Sequence, residues 1–259
     1  GRHNAPRGLP DSTGMPQAFV DELIIQPFND LEVIEKTIRE RHFEIAAVLI
    51  EPALANCGVI PPVEGYLEGL RKITEQYGVL LIFDEVMTGF RIAPGGAQEY
   101  YNIKPDISTF AKVLGGGFPA ACFGGTKEVM EIEAKNEVMH GGTYTASPLA
   151  LAAADAVLKR IERDKETMYP RLFELSERLR EGLVRVIRAA GFHCFGQGIG
   201  PLFQVFIGDS DIDRLYNYRD TMGYVRDDIF SAFHAELQKR GVYCHPGQFE
   251  RWFLSTEHT

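Results

Sequence analysis

Two apolar segments of strand length, separated by an amphipathic helix, constrain the fold of this chain most strongly. The segments are IAAVLIEP (45–52) and VLLIF (79–83), and neither alternates apolar with polar residues. Such uninterrupted apolar strands are typical of a parallel sheet that is covered on both faces. Between them, residues 61–78 place apolar side chains at helical spacing and end in a glycine. We therefore predict an α/β fold with a mainly parallel sheet and helices on both faces.

The rest of the chain continues with further helices and strands. Residues 30–42 predict a helix with Asp30 as its N-cap, and DIST (106–109) and ACFGGT (121–126) are candidate strands. The C-terminal part predicts helices at 147–164, 172–191 and about 224–240, strands at 202–208 and 241–245, and a turn at GQGIG (196–200).

We expect this pattern to divide into two domains. Residues 1–160 would form a large domain, and residues 161–259 would form an α+β small domain. The polar, Pro/Gly-rich start at 1–16 lacks an initiating methionine. We therefore expect the chain to begin part-way through a longer protein, so that both domains are partial.

Charge and composition disfavour several classes of protein. The formal net charge of -9 argues against a nucleic-acid-binding face. No apolar run approaches the ~20 residues of a membrane span, and no signal peptide is evident. The four cysteines are widely spaced and form no CxxC pair, which predicts reduced thiols in a cytoplasmic protein without a zinc site.

Charged side chains follow the second predicted strand and the candidate strand after it. Asp84 and Glu85 close one strand, and Lys112 follows the next, in front of three glycines (115–117). Ligands of parallel α/β sheets collect outside the carboxyl ends of the strands. A carboxylate and a lysine could therefore face one crevice.

Three interpretations of these residues remain open at this level. Asp84 and Lys112 could form an ordinary ion pair or be unrelated surface charges. Asp84 and Glu85 could serve a two-carboxylate hydrolase, although adjacent strand residues point to opposite faces. In the third interpretation, Lys112 forms a Schiff base with pyridoxal 5'-phosphate (PLP) and Asp84 holds the pyridinium nitrogen.

The third interpretation assigns a chemical task to each part. A lysine must lose its proton before it attacks an aldehyde, so it needs a partly desolvated site or a nearby cation. The ring nitrogen stays protonated beside a buried carboxylate. The three glycines would let the backbone pass closely around a bulky cofactor.

The motifs taken together point to a known family. They are EPALANCG (51–58), LLIFDEVMTGFR (80–91), FAKVLGGGFP (110–119) and HGGTYTASPLA (140–150). With them, the chain resembles the class III (subgroup II) PLP-dependent aminotransferases of fold type I. The resemblance extends over nearly the whole chain and is greatest to the glutamate-1-semialdehyde 2,1-aminomutase-like branch.

The resemblance implies roles for four residues of the first three motifs. Lys112 would hold PLP and later move the Cα proton of the substrate. Asp84 would bind the pyridine nitrogen, and Val86 would pack on the face of the ring. Asn56 would form a hydrogen bond with the phenolic oxygen of the cofactor, although it could also simply cap a turn.

The resemblance also implies a dimer and a substrate contact. Thr143 would bind the cofactor phosphate of the neighbouring subunit, so the protein would be a homodimer with a shared active site. Glu250 matches a residue near the substrate, with a surface charge pair to Arg251 as the alternative. Residues 8–16 match a mobile gating loop of the aminomutases.

The function that the resemblance implies is amino transfer between an amino acid or amine and a carbonyl acceptor, both small molecules. TASP (145–148), FPAACFGG (118–125) and FERWF (249–253) depart from the aminomutase pattern and favour a transaminase. One alternative is glutamate-1-semialdehyde 2,1-aminomutase, which transfers the amino group within one molecule in tetrapyrrole synthesis. An alternative of another class is a non-catalytic, truncated remnant.

Overall fold

The computed structural model describes residue 10 and residues 12–259, and its strands form two separate sheets. The larger sheet has four strands and the smaller has three. The strands are β1 (Ala47–Ile50), β2 (Leu80–Asp84), β3 (Ile107–Phe110), β4 (Cys122–Gly125), β5 (His193–Ile199), β6 (Leu202–Gly208) and β7 (Trp252–Phe253). The helices are α1 (Gln17–Asp21), α2 (Leu31–Arg41), α3 (Tyr66–Tyr77), α4 (Gly96–Tyr101), α5 (Lys127–Ala134), α6 (Pro148–Ala189), α7 (Tyr218–Tyr224) and α8 (Asp227–Lys239).

The larger sheet is mainly parallel, as the sequence predicts. Its order is β1-β2-β3-β4, with β1, β2 and β3 parallel and β4 antiparallel to β3. Both candidate strands at 106–109 and 121–126 are therefore confirmed. Leu81 and Phe83 of β2 are fully buried and pack in one cluster with Ile38 of α2 and Leu70 of α3. That cluster fixes the two helices on one face of the sheet.

Helices α2 and α3 begin and end at residues with a clear local cause. The carboxylate of Asp30 accepts a hydrogen bond from the Val33 backbone N–H (3.2 Å), so the predicted N-cap is confirmed. Helix α3 begins at Tyr66, later than predicted, because Gly65 has a left-handed φ of 78°. It ends at Gly78, which is also left-handed and donates to helix carbonyls.

Helix α6 is a single helix of 42 residues, whereas the sequence predicts two helices separated near 165–171. Pro170 lies inside it, where a proline normally disfavours helix. Contacts on both sides of the proline hold the chain in place: the Tyr169 hydroxyl donates to the Phe90 carbonyl (2.9 Å), and Leu172 is buried. Tertiary packing therefore outweighs the local preference. The predicted domain boundary at residue 160 falls within this helix.

The smaller sheet departs from the sequence prediction at two places. Residues 196–200, predicted as a turn, mostly belong to β5, and the third strand is β7 in place of residues 241–245. The glycines allow close packing: a Cβ on Gly198 would lie 2.4 Å from the Phe203 backbone of β6, whereas Cβ atoms on Gly196 and Gly200 would meet side chains of α6. Strand β6 at 202–208 and helix α8 are confirmed.

No helix in the described part of the chain is long and apolar enough to span a membrane. The four cysteines are all free, which agrees with the expected reduced thiols.

Glu85 lies fully buried at the first turn of α4. Its carboxylate accepts hydrogen bonds from the backbone N–H groups of Ala97 (2.5 Å) and Gln98 (3.2 Å). The Gln98 side chain (3.0 Å) and the Thr88 hydroxyl (3.0 Å) donate to it as well. A negative charge is favourable at a helix N-terminus, so Glu85 anchors α4 to the end of β2.

We expect Glu85→Ala to lower the free energy of unfolding by about 3 kcal/mol, because several buried donors lose a charged acceptor. Urea denaturation followed by circular dichroism measures this change. The control is Glu68→Ala on the exposed side of α3, which should stay within about 0.5 kcal/mol of the wild type. Equal effects of the two substitutions would contradict the anchoring role.

Candidate active site

Three charged side chains lie at the carboxyl ends of the parallel strands. Glu51 follows the last residue of β1, and Asp84 is the last residue of β2. The register pairs Asp84 with Thr109 of β3, and Lys112 comes shortly after that strand. Strand pairing therefore brings together, at one edge, residues that are distant in sequence.

Asp84 is half-buried and is held by a single oxygen. Its Oδ1 accepts hydrogen bonds from the Val86 backbone N–H (3.0 Å) and the Thr109 hydroxyl (3.2 Å). Among the described residues, none donates to Oδ2. The two hydrogen bonds to Oδ1 thus orient the Asp84 side chain, and its Oδ2 can accept a hydrogen bond from another group. Val86, also half-buried, is the next residue but one along the chain.

The geometry excludes the hydrolase interpretation, which needs two carboxylates at one bond. Asp84 faces the strand-end crevice, whereas both oxygens of Glu85 are engaged in the core at α4. The two side chains point in opposite directions, as alternation along a strand requires.

Lys112 stands on a strained turn directly after β3. Its φ of 48° lies in the left-handed region, which a residue with a side chain adopts rarely. Residues Lys112–Gly115 form a 3₁₀ turn that is closed by Gly116. A Cβ on Gly116 would lie 2.6 Å from the Val157 side chain of α6. At least this glycine therefore serves to pack the turn on α6, a requirement that the sequence prediction did not include. The side chain of Lys112 is exposed.

The surroundings of Lys112 favour its neutral amine. Burial of its amino group, Arg251 and Arg91 lower the pKa of Lys112, whereas Asp84 and Glu51 raise it. The net effect is a pKa below the ordinary 10.5. A larger fraction of this amine is therefore neutral, and able to attack an electrophile, than for an ordinary lysine.

Arg251 joins two residues that were predicted separately. Its side chain is only 9% exposed and donates to the Asn56 Oδ1 and to the Glu250 carboxylate. It also contacts the Met87 sulfur at 3.4 Å. The Arg251 Nε is buried without an acceptor among the described residues. The structure therefore brings Asn56 and Glu250 together around one guanidinium that retains an unused donor.

A second arginine adds to the positive charge of the crevice. The Arg91 guanidinium lies 4.5 Å from the centroid of the Phe253 ring, and that of Arg251 lies 5.3 Å from it. Burial, together with the charge of Arg251, lowers the pKa of Arg91 to about 10. Neither arginine was among the predicted site residues. Arg91 is the last residue of the motif LLIFDEVMTGFR, but only its contact with Phe253 of β7 shows that its guanidinium lies near the crevice.

Two further predictions lie apart from this crevice. Thr143 occupies an exposed turn before α6, and no hydrogen bond in the described part of the chain joins it to the other predicted site residues. Of the gating-loop match at 8–16, residues 8, 9 and 11 lie outside the described residues, and residues 12–16 are exposed.

The sequence matches a protein-family model over most of its length. The family, described as aminotransferase class-III, is matched by residues 9–245. The chain belongs to this family.

Solved structures of class III aminotransferase relatives agree with the match. The chain is 33% identical to an omega-transaminase from Sphaerobacter thermophilus, with a TM-score of 0.88 over 97% of this chain and 56% of that one. It is 28% identical to a β-phenylalanine aminotransferase from Variovorax paradoxus (TM-score 0.78; 91% and 53% covered). It is 26% identical to a glutamate-1-semialdehyde aminomutase from Pseudomonas aeruginosa PAO1 in complex with PMP (TM-score 0.77; 89% and 51% covered). The chain thus spans about half the length of these proteins.

Class III aminotransferases depend on PLP, and the crevice residues fit that cofactor. Asp84 offers a free oxygen for a protonated ring nitrogen. Lys112 offers an exposed amine of lowered pKa. Asn56 uses its Oδ1 for Arg251, which leaves its amide N–H groups available to an anionic oxygen. No cluster of side chains that could hold a metal ion is found in the described part of the chain.

Glu51 adds a second carboxylate beside Asp84. Its Oε2 accepts a hydrogen bond from the Ala55 backbone N–H (3.2 Å). Burial, which has the largest effect, and Asp84 raise the pKa of Glu51 above the ordinary 4.5. The Ala55 bond and the nearby cations only partly offset them. A raised pKa means that the ionised carboxylate destabilises the folded state at neutral pH.

We expect Glu51→Gln to increase the free energy of unfolding at neutral pH, because the amide avoids the desolvation of a charge. The gain should shrink as the pH falls through the raised pKa and vanish below 4.5, where the wild-type side chain is protonated in both states. Urea denaturation across this pH range measures the difference. A difference that does not change with pH would contradict the assignment.

Proposed function

We propose that this chain provides the lysine, the aspartate and part of the substrate side of an aminotransferase active site. The enzyme would move an amino group between an amino acid or amine and a carbonyl acceptor. One observation supports this most strongly: Asp84 and Lys112 meet at one strand-end crevice in a chain of the class III family.

The cofactor side of the site uses Asp84, Asn56 and Val86. When bound, PLP acts as an electron sink for negative charge at the carbon next to the substrate nitrogen. The Asp84 Oδ2 would accept a hydrogen bond from the protonated ring nitrogen and keep it protonated. The Asn56 side-chain amide would donate to the phenolic oxygen, and the half-buried Val86 would pack against the ring.

Lys112 would serve twice. Its amine would hold the cofactor covalently. After the amino donor displaces it, the Nζ would take a proton from the substrate Cα and later return one, as a general base and then a general acid. The lowered pKa of Lys112 suits both tasks, because it brings the proton affinity closer to neutral pH.

Arg251 would bind an acidic group of the substrate. Its guanidinium is nearly buried and borders the crevice that contains Lys112. Guanidinium groups bind carboxylates in fork geometry. The Glu250 carboxylate accepts a hydrogen bond from the same guanidinium. It would therefore compete with an acidic substrate group for Arg251 and so influence substrate specificity.

The intramolecular alternative has its own support in the similarity to a glutamate-1-semialdehyde aminomutase. An aminomutase converts its substrate without an external amino acceptor, whereas a transaminase requires one. Assay of the full-length protein with and without an acceptor would therefore distinguish the two.

We further propose that the protein acts in the cytoplasm as a homodimer, in which Thr143 binds the cofactor phosphate of the second copy. Exposed apolar side chains near Thr143 support this: Met139 is 98% exposed and Tyr144 is 88% exposed. Four free cysteines agree with a reducing compartment.

We expect borohydride reduction of the chain with PLP to label Lys112 selectively, because its lowered pKa leaves a larger fraction of its amine neutral than for an ordinary lysine. Peptide mass mapping identifies the labelled lysine, and an added amino donor should suppress the label by competition. Lys72, exposed on α3, is the reference lysine within the same protein.

Lys112→Ala should abolish the selective label, and Lys72→Ala should leave it unchanged. Equal labelling of Lys72 and Lys112 would contradict an assembled cofactor site in this chain. That result would favour the non-catalytic alternative.

A further inference from the structure

The segment that contains Glu250 and Arg251 lies next to the smaller sheet but does not pair with it. Strands β6 and β7 pair through Leu202 with Phe253 and Phe203 with Trp252, and the ladder stops there. The next facing positions would be Gln204 and Arg251. Beyond this point the segment of residues 248–251 runs alongside β6 without being part of the sheet.

Two buried glutamines bridge the space where the ladder is missing. The Gln204 amide nitrogen donates to the Glu250 carbonyl, and its Oε1 accepts from the Val205 backbone N–H (2.7 Å). The Gln248 Oε1 accepts from the Ile207 backbone N–H (2.5 Å). Both glutamines are almost completely buried. Side-chain amides thus take the place of the backbone hydrogen bonds of a β-ladder. They separate residues 248–251 from β6 by about the length of a glutamine side chain.

The opposite side of the segment is fixed by the loop that contains Asn56. The Gly58 backbone N–H donates to the Phe249 carbonyl (2.6 Å). Gly58 has a φ of 77°, and a Cβ there would lie 2.1 Å from the Phe206 ring of β6. Residues 248–251 are therefore clamped between β6 and the Asn56 loop.

We propose that Gln204 is a positioning residue, which holds the Glu250–Arg251 peptide so that the Arg251 guanidinium meets Asn56 at the crevice. The bond from Gln204 ends on the carbonyl of that peptide, so it sets the direction in which the Arg251 side chain leaves the backbone. Arg251 then reaches Asn56 and Met87 on the other side of the crevice. Gln204 serves the proposed function, on which the importance of this role rests.

An apolar side chain of the same length cannot replace Gln204. It would leave the Glu250 carbonyl and the Val205 N–H without their partner in the core, and the peptide would be free to rotate towards other donors. Gln197 of β5 provides a matched comparison. It pairs with Gln204 in the sheet, is also buried, and bonds to Val59 and Leu215. Among the described residues it has no hydrogen bond to residues 248–251.

The test uses Lys112 as a reporter on the chain without cofactor. Arg251 and Arg91 favour the neutral amine of Lys112, and Asp84 and Glu51 oppose them. Competitive acetylation with acetic anhydride over a pH series, followed by mass mapping, gives the pKa of Lys112. We expect Gln204→Met to raise this pKa by roughly half a pH unit, the effect of moving one charge several ångströms away through water. Arg251→Gln should raise it in the same direction.

Gln197→Met should leave the Lys112 pKa unchanged, although it also removes a buried amide. Adding Gln204→Met to Arg251→Gln should cause no additional shift. The role of Gln204 is overturned if Gln204→Met leaves the pKa unchanged or if Gln197→Met shifts it equally. If Gln204→Met does not fold, Gln248→Met removes the second bridge and is judged by the same criteria. No PLP is present, so failure here is distinguishable from failure of selective PLP labelling.

Discussion

The parallel pairing of β2 with β3 is the constraint on which the candidate site depends. It places the end of β2 next to the end of β3, so that Asp84 receives a hydrogen bond from Thr109 and Lys112 follows a few residues later. Glu85, the residue after Asp84, is turned into the core, where it anchors α4. One strand end thus supplies one carboxylate to the crevice and another to the core.

The balance of charge in the crevice follows from which residues the fold brings there. Two carboxylates, Glu51 and Asp84, and two guanidiniums, Arg91 and Arg251, act on the amine of Lys112. Burial and the arginines outweigh the carboxylates, so the amine has a lowered pKa. The arginines approach Phe253, and Arg251 also reaches Asn56. The smaller sheet therefore takes part in the electrostatics of a site built mainly on the larger one.

Local patterns predicted the central strands and the ends of those strands correctly. Uninterrupted apolar runs identified β1 and β2, and strand ends located Asp84 and Lys112. Long-range packing determines the rest. GQGIG lies mostly in a strand because its glycines allow close approach of β6 and α6. Helix α6 continues through Pro170 because contacts hold both sides of the proline. Arg251 bonds to Asn56, and Gln204 bonds to the neighbouring Glu250 carbonyl. These partners are distant in sequence, so no local pattern reveals the position of Arg251.

A crystal structure of the chain grown with PLP would test the central claim most directly. We expect a covalent bond from the Lys112 Nζ to the cofactor and a hydrogen bond from the ring nitrogen to the Asp84 Oδ2. We also expect the Glu85 carboxylate to remain bound to α4 without touching the cofactor. PLP attached to another lysine, or a ring nitrogen that does not contact Asp84, would show that Asp84 and Lys112 do not form the cofactor site.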